Sequence, residues 1–177
     1  IAPSAELLHH RWSRFMETDD LTDRALCYVT PRSGRNISTR VTGLPPLADL
    51  PIGTPHPPTA PFAFRSFDRQ WTFDDPRLAK TESPALWASL SEQQIFLTTL
   101  TTSPLGKGLA ATATTAVPDK HHFRGSFGGK DVIPLYRDAA GTPNVATETL
   151  NVITAAHQAN GDSATAVTPE ALFSYAY

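Results

Sequence analysis

The sequence predicts an α+β fold in which helices flank a mostly antiparallel, loop-rich central sheet. Strand-like patterns occupy the middle of the chain, at 62–73, 94–101 and 132–136, whereas helical patterns lie towards both ends. The chain has 16 prolines among 177 residues, well above the usual ~5%, so long irregular connections are expected. This length fits one domain of ordinary size, and we expect 1–177 to form a single domain.

The first half is predicted to begin with a helix and to end in a hairpin. Ser4 is a suitable N-cap for a helix whose apolar residues have helical spacing, namely Leu7, Leu8, Trp12 and Phe15. A short helix or strand is expected over 21–29, a turn over 31–36 and an alternating strand over 37–41. Seven prolines between 43 and 61 predict an irregular connection, and two strands follow at 62–67 and 70–73 around a tight turn.

The second half alternates short strands and helices. A helix opens at Ser83-Pro84, and a buried strand follows over 94–101. A flexible loop is expected over 103–109 and a weakly apolar strand over 110–117. The strand at 132–136 contains Pro134 and is therefore expected at a sheet edge. A helix is predicted over 144–159, with Val145, Ile153 and Ala156 on one side, and a last helix starts at 168.

Composition excludes several classes of protein. The single cysteine, Cys27, rules out an internal disulfide framework, indicates a reducing, cytoplasmic compartment and is expected to be buried. No apolar run is long enough to span a membrane. The segment around Lys107 lacks the outer glycine and the Ser/Thr of a phosphate-binding loop, and no dinucleotide, nucleophile-elbow or amino-methyltransferase motif is present. Adjacent histidines point in different directions, so no metal site is expected.

The net charge is −2, but the charges are segregated. Residues 138–177 hold four acidic side chains and no Lys or Arg, whereas two other stretches are basic. These contain Arg24, Arg32, Arg35 and Arg40 in the first, and Lys107, Lys120, His121, His122, Arg124 and Lys130 in the second. Phosphate affinity depends on a local patch, so this segregation permits nucleic-acid binding. Solvated loops without a ligand account for the same pattern.

Several conspicuous residues have plainer structural interpretations. Asp75 and its neighbour precede a proline and indicate a turn, and Asp68 is expected to pair with an arginine or to cap a turn. Four aromatic residues are assigned to the core rather than to base stacking: Phe67, Trp71, Trp87 and Phe96.

An ordered series of segments resembles the C-terminal specificity domain of Type ISP restriction–modification enzymes. The segment Phe64-Arg65-Ser66-Phe67-Asp68-Arg69-Gln70-Trp71 resembles the family's aromatic-Arg-x-Phe-Asp-x-x-Trp core, with Ser66 in place of the usual proline. The other segments are Asp75-Pro76-Arg77-Leu78, Ser83-Pro84-Ala85-Leu86-Trp87, the strand at 94–98, Pro118-Asp119-Lys120-His121-His122-Phe123, Ile133-Pro134-Leu135-Tyr136, Pro143-Asn144-Val145 and the stretch 168–177. The family's Arg-Pro-Arg stretch is Thr81-Glu82-Ser83-Pro84 here, so no phosphate contact is assigned to it.

The resemblance implies a target-recognition domain within a longer polypeptide that also carries a nuclease, an ATP-driven translocase and an adenine methyltransferase. Such a domain reads a short asymmetric site in double-stranded DNA and holds the duplex while the methyltransferase flips an adenine and methylates its amino nitrogen. No cofactor is implied for this chain. S-adenosylmethionine, ATP and Mg²⁺ belong to the other parts of the parent enzyme, and the last helix is expected to continue beyond residue 177.

The chemistry of base recognition selects candidate residues in two clusters. Arg pairs with guanine through two hydrogen bonds and Asn with adenine, whereas Lys, Arg and backbone N–H groups hold phosphates. The first cluster is Arg32, Arg35 and Asn36, with Arg40 following, and the second is Lys107, Lys120, His121, His122, Arg124 and Lys130. We expect the two clusters to form opposite sides of one DNA cleft. Arg65 and Arg69 are also candidates, although their shared motif favours a structural or backbone-contacting role.

Two alternatives stay open at this point. A small hydrolase would use Asp119 with His121 or His122 and would need them within hydrogen-bonding reach. A structural coupling domain would pack on the methyltransferase without reading bases and would expose an apolar face. The recognition hypothesis instead predicts salt-sensitive binding to duplex DNA and a loss of specificity in Arg35→Ala.

Overall fold

The computed structural model describes residues 1–28, 35–78, 84–100, 111–119, 121–123, 130–160 and 166–176. The helices in this part of the chain are α1 (Ala5–Glu17), α2 (Leu21–Cys27), α3 (Pro84–Ala88), α4 (Thr147–Ala159) and α5 (Pro169–Ala176), with a 3-10 helix at Leu47–Asp49. The strands are β1 (Thr59–Arg65), β2 (Asp68–Phe73), β3 (Phe96–Leu100), β4 (Ala111–Thr114), β5 (Val117–Pro118) and β6 (Lys130–Pro134). The predicted α+β class is confirmed.

The strands form two three-stranded sheets, of order β2-β1-β5 and β4-β3-β6, rather than the one central sheet that the sequence predicted. The reason lies in the predicted strand at 110–117, which the structure divides into β4 and β5. Between them the Ala116 N–H donates to Thr114 Oγ1 (3.1 Å). This local bond diverts the backbone, and each half then joins a different sheet.

Two compact units divide the chain. Unit 1 contains Ile1–Phe62 and Asp68–Glu82, and unit 2 contains Ala63–Phe67 and Ser83–Tyr177. The boundary therefore falls within β1. The expected single domain over 1–177 stays a prediction, and each unit is described separately below.

Helix α1 supplies much of the core of unit 1. Ser4 caps it as predicted, with its Oγ accepting from the Leu7 N–H (3.3 Å). Its apolar side buries Leu8, Trp12, Phe15 and Met16 against Ile37, Leu47 and Phe73. A helix of thirteen residues gains most of its stability from such an apolar side rather than from propensity alone.

Two expectations for unit 1 are wrong. Cys27 is exposed rather than buried, because α2 ends there with that residue facing solvent. The predicted strand at 37–41 is a turn, because the Asn36 side chain accepts a hydrogen bond from the backbone two residues further on. Asn36 Oδ1 accepts from the Ser38 N–H (2.9 Å), and the Asn36 carbonyl accepts from the Thr39 N–H (3.0 Å). The alternation of polar and apolar side chains predicted a strand here. It gave no indication of these turn bonds, which compete with strand pairing.

Strand β3 lies at the centre of the antiparallel sheet in unit 2. Phe96, Leu97 and Thr98 are buried, and Phe96 is fully inaccessible to solvent, as its core assignment predicted. Strand β6, which contains Pro134, lies at an edge as expected. Helix α4 begins at Thr147 and buries no residue, so the predicted apolar side that included Ala156 is not covered. No helix in the described ranges is both long and apolar enough to cross a membrane.

A hydrogen bond joins the end of unit 2's sheet to α5. The Tyr136 hydroxyl donates to Glu170 Oε1. This bond raises the pKa of Tyr136, with burial adding to the effect, and it is the main reason that the pKa of Glu170 is lowered. The bond therefore needs an ionised carboxylate and a neutral phenol.

We predict that this bond stabilises unit 2 within a pH window. The lowered pKa of Glu170 gives stability that is present above about pH 4.3 and is lost as the pH falls through the folded-state pKa. The raised pKa of Tyr136 gives stability that is present below about pH 10 and is lost at still higher pH. Urea unfolding of the wild type and of Tyr136→Phe should differ most near neutrality and converge at both extremes. A difference that is constant down to strongly acidic pH would contradict this assignment.

Candidate functional site

The loop at 35–40 in unit 1 carries three candidate residues. The Arg35 Nη1 donates to the Pro76 carbonyl, so one arm of this half-buried guanidinium is held against the body of the unit. Asn36 is exposed, and its Oδ1 is engaged within the turn described above. Arg40 is exposed and makes no hydrogen bond or ion pair with any described residue. The turn thus presents an oriented arginine and an unengaged one within six positions.

Two other arginines of unit 1 are part of its framework. Arg24 is buried, and it donates to the carbonyls of Thr18 (3.0 Å) and Leu50 (3.2 Å). Arg77 forms a buried ion pair in which its Nη2 lies 2.6 Å from Asp75 Oδ2. Asp75 is thereby explained as a structural carboxylate, in agreement with its interpretation as a turn residue. The basic stretch in the sequence overstates the available positive charge because it counts Arg24 as well.

Arg65, in unit 2, makes three contacts of its own. Its Nη1 lies 2.6 Å from Asp119 Oδ2 and donates to the Phe64 carbonyl (2.5 Å). The guanidinium carbon lies 3.9 Å from the centre of the Phe64 ring, which is within the range of a cation–π contact. About one-third of the side chain stays exposed. These contacts give Arg65 a structural role, and a DNA contact through its exposed part stays a prediction.

His122 is also part of unit 2 and is buried, with only 2% of its surface exposed. Its Nδ1 lies 3.1 Å from the Ala63 carbonyl, and its Nε2 lies 2.8 Å from Thr112 Oγ1. A carbonyl oxygen can only accept, so Nδ1 carries a proton. This burial and these two bonds make His122 a structural residue, in contrast to its predicted place among the DNA contacts.

Backbone bonds complete the connection between the end of β1 and the segment at 119–123. The Asp119 N–H donates to the Ala63 carbonyl (2.9 Å), and the Ser66 N–H donates to the His122 carbonyl (3.0 Å). We call residues 63–66 and the described residues of 119–123 the anchored hairpin base. Sequence reasoning placed Arg65 and His122 in separate motifs, whereas the structure brings them together because β5 pairs beside β1.

His121 and Arg69 are both exposed. The His121 N–H lies 3.3 Å from Asp119 Oδ2, the oxygen that also pairs with Arg65. Asp119 is therefore occupied as an ion-pair and turn acceptor, and the His122 ring is occupied by Ala63 and Thr112. This arrangement gives no support to the alternative of a hydrolase that uses Asp119 with a histidine.

Phe67 contradicts its assignment to the core. It occupies the second position of the two-residue turn between β1 and β2, and it is 100% exposed. Its φ is +67°, and it is the one residue other than glycine in the described ranges with a positive φ. That conformation costs an ordinary L-residue about 1–2 kcal/mol. The tight turn was predicted, but hydrophobicity favoured burial and so concealed the exposed position.

Five of the twelve predicted DNA contacts have side chains that the structure does not describe. Arg32, Lys107, Lys120 and Arg124 lie outside the described residues, and only the backbone of Lys130 is described, in β6. Arg35 and His121 belong to different units. The single cleft between the two clusters therefore stays a prediction. Among the described residues, no group of three His, Cys, Asp or Glu side chains could hold a metal ion.

We predict that the His122 ring is needed for folding of the hairpin base. His122→Phe keeps the ring volume but leaves the Ala63 carbonyl and the Thr112 hydroxyl without these bonds, which should cost about 2–4 kcal/mol in the free energy of unfolding. The matched control is His121→Phe at the exposed neighbouring position, where a change within about 0.5 kcal/mol is expected. Equal effects of the two substitutions in urea unfolding would refute the distinction.

Comparison with known proteins identifies the family. A family model described as the Type ISP C-terminal specificity domain matches residues 1–177, which is the whole sequence. No curated protein and no solved structure matches the chain. The family match agrees with the resemblance carried by the motif at 64–71, and it supports a role in target recognition by a restriction–modification enzyme. The chain therefore belongs to the Type ISP C-terminal specificity domain family.

Proposed function

We propose that this domain recognises a specific sequence in double-stranded DNA and positions the site for an adenine-N6 methyltransferase elsewhere in the same polypeptide. The observation that carries this proposal is the family match over residues 1–177. The missing catalytic and nucleotide-binding motifs agree with a recognition role, because such a role needs contacts but no reacting groups.

Arg35 and Asn36 are proposed to read bases. The bond from Arg35 to the Pro76 carbonyl supports this role, because it limits the freedom of a side chain that otherwise loses about 2 kcal/mol of rotamer entropy on ordering. Asn36 lies beside it, exposed on a turn in which its Oδ1 accepts from the Ser38 N–H, so Asn36 is proposed to contact a base through its Nδ2 group. Arginine and asparagine are the side chains that pair with guanine and adenine in the major groove.

Phosphate contacts are proposed for the exposed basic side chains. Arg40 and Arg69 are exposed on unit 1, and His121 is exposed on unit 2. The remaining candidates complete this proposed set: Lys107, Lys120, Arg124 and Lys130 of the second cluster, together with Arg32 of the first cluster. Such contacts hold the duplex in register without reading its sequence.

The proposed parent enzyme divides its labour. The methyltransferase would bind S-adenosylmethionine and act on a flipped adenine, and the translocase would use ATP and Mg²⁺, in each case outside this chain. We propose a cytoplasmic location for the parent enzyme, because a lone exposed thiol such as Cys27 stays reduced in that compartment.

Arg40→Ala should weaken binding to duplexes of all sequences and lower the slope of log affinity against log salt by about one. The reason is that Arg40 is exposed and has no partner in the described chain, so its charge is available to a phosphate. Fluorescence anisotropy of the intact protein with mixed-sequence duplex DNA at several salt concentrations measures this slope. The control is Arg14→Ala, at another exposed arginine of unit 1 on α1. An unchanged slope in Arg40→Ala, or no binding by the wild type at low salt, would count against the proposal.

Arg35→Lys should reduce discrimination between sequences more than it reduces total affinity. Lysine keeps the charge but lacks the planar fork that pairs with guanine, and losing one such pair costs about 1–3 kcal/mol of discrimination. Selection of duplexes from a random pool, followed by competition binding, measures the preference. Arg40→Lys is the control and should leave the preference unchanged. A preserved preference in Arg35→Lys would remove Arg35 from the base-reading set.

One observation favours the alternative of a structural coupling domain. Apolar side chains stay exposed on the helices, including Leu26 on α2, Val152 on α4 and Tyr175 on α5. These positions could pack against a neighbouring domain. This alternative would gain support if the Arg35 and Arg40 substitutions both leave DNA affinity and sequence preference unchanged.

A further inference from the structure

The Phe67 side chain lies at the surface of unit 2 and is not buried by packing. Its side chain is fully exposed at the tip of the β1–β2 hairpin. A two-residue turn normally uses Gly or Asn where φ is positive, because these residues tolerate that backbone conformation. Phe67 is neither Gly nor Asn, and yet its φ is +67°. The local structure is thus unfavourable in two independent ways, and such conflicts between sequence and local structure are concentrated at functional sites.

Hydrogen bonds and an ion pair hold the residues that precede Phe67. Ser66, which precedes Phe67, donates through its backbone N–H to the His122 carbonyl (3.0 Å). Arg65 is held by the ion pair with Asp119, and Ala63 accepts bonds from the Asp119 N–H and the His122 ring. The anchored hairpin base therefore fixes the chain up to the residue before Phe67, so the aromatic ring is presented from a rigid element.

The residues next to Phe67 in the chain favour stacking on a planar base over docking to a protein. Sites for protein partners are contiguous apolar patches, often of several hundred Å². The residues beside Phe67 are polar instead: Ser66 precedes it, and Asp68 and the exposed Arg69 follow. A single rigid aromatic ring with polar neighbours is suited to contact the face of one unstacked base, and apolar wedges of this kind enter between base pairs in several DNA-binding proteins.

We propose that Phe67 inserts as a wedge at one base step of the target duplex and stacks on an exposed base. This inference rests on the proposed function, since it assumes that the bound partner is double-stranded DNA. Phe67 is then a positioning residue that opens the stack locally, at a place fixed by the anchored hairpin base.

The test combines affinity with a local probe of base stacking in the intact protein. Short duplexes selected by the wild type from a random pool are synthesised with 2-aminopurine at each adenine position in turn. Binding of the wild type should increase the 2-aminopurine fluorescence at one position, where the stacking between neighbouring bases is lost. Phe67→Ala should abolish that increase and weaken binding about tenfold, whereas Phe67→Trp should keep both.

Two controls separate a wedge from a structural role. Tyr175→Ala removes another exposed aromatic ring of unit 2, on α5, and should leave DNA affinity and fluorescence unchanged. Phe67→Asn fits the left-handed backbone, so it should raise the melting temperature and yet lose DNA affinity. That combination shows that the weaker binding does not come from misfolding.

The outcomes distinguish the two proposals. If the wild type binds the selected duplexes, but Phe67→Ala binds equally well with the same fluorescence, the wedge is refuted and the recognition function stands. If Phe67→Ala weakens binding although no position brightens with the wild type, stacking is likewise refuted. If the wild type binds no duplex at low salt, the proposed function itself fails.

Discussion

The two hydrogen bonds of the His122 ring hold together three parts of unit 2, of which the part at Ala63 is 59 residues away in the sequence. One bond reaches the Ala63 carbonyl at the end of β1, the other reaches Thr112 on β4, and His122 itself lies beyond β5. Because the ring is buried, water cannot replace either bond at the ring nitrogen that would lose it. The ion pair of Arg65 with Asp119 and the position of the hairpin tip depend on this connection.

The arginines discussed above are of two kinds: some use their charge within the fold, and others stay accessible to solvent. Arg24 and Arg77 are buried in hydrogen bonds to carbonyls and to a carboxylate, and Arg65 pairs with Asp119, so much of their charge is used within the fold. Arg40 is exposed, and Arg35 is half-buried and donates to the Pro76 carbonyl. A recognition domain needs both kinds, because the buried arginines stabilise the fold and the exposed ones stay available to a ligand.

The sequence predicted those elements whose side-chain pattern is local. The Ser4-capped helix, the hairpin and the edge position of Pro134 follow from spacing, capping and proline chemistry alone. The turn at 37–41 was missed because the Asn36 side chain accepts from the Ser38 N–H, and the exposure of Phe67 was missed because hydrophobicity alone favours burial. The burial of His122 depends on the pairing of β5 beside β1, which no local pattern contains. Long-range pairing and side-chain competition for backbone bonds thus account for these differences.

Hydrogen–deuterium exchange of the intact protein, with and without its selected duplex, tests the central claim most directly. In the free protein, the amides of Ser66 and Asp119 should exchange slowly, because both donate within the anchored hairpin base. On DNA binding, exchange should slow further in the peptide that contains Phe67. Rapid exchange of these two amides in the free protein, or DNA protection that leaves this peptide unchanged, would contradict the account.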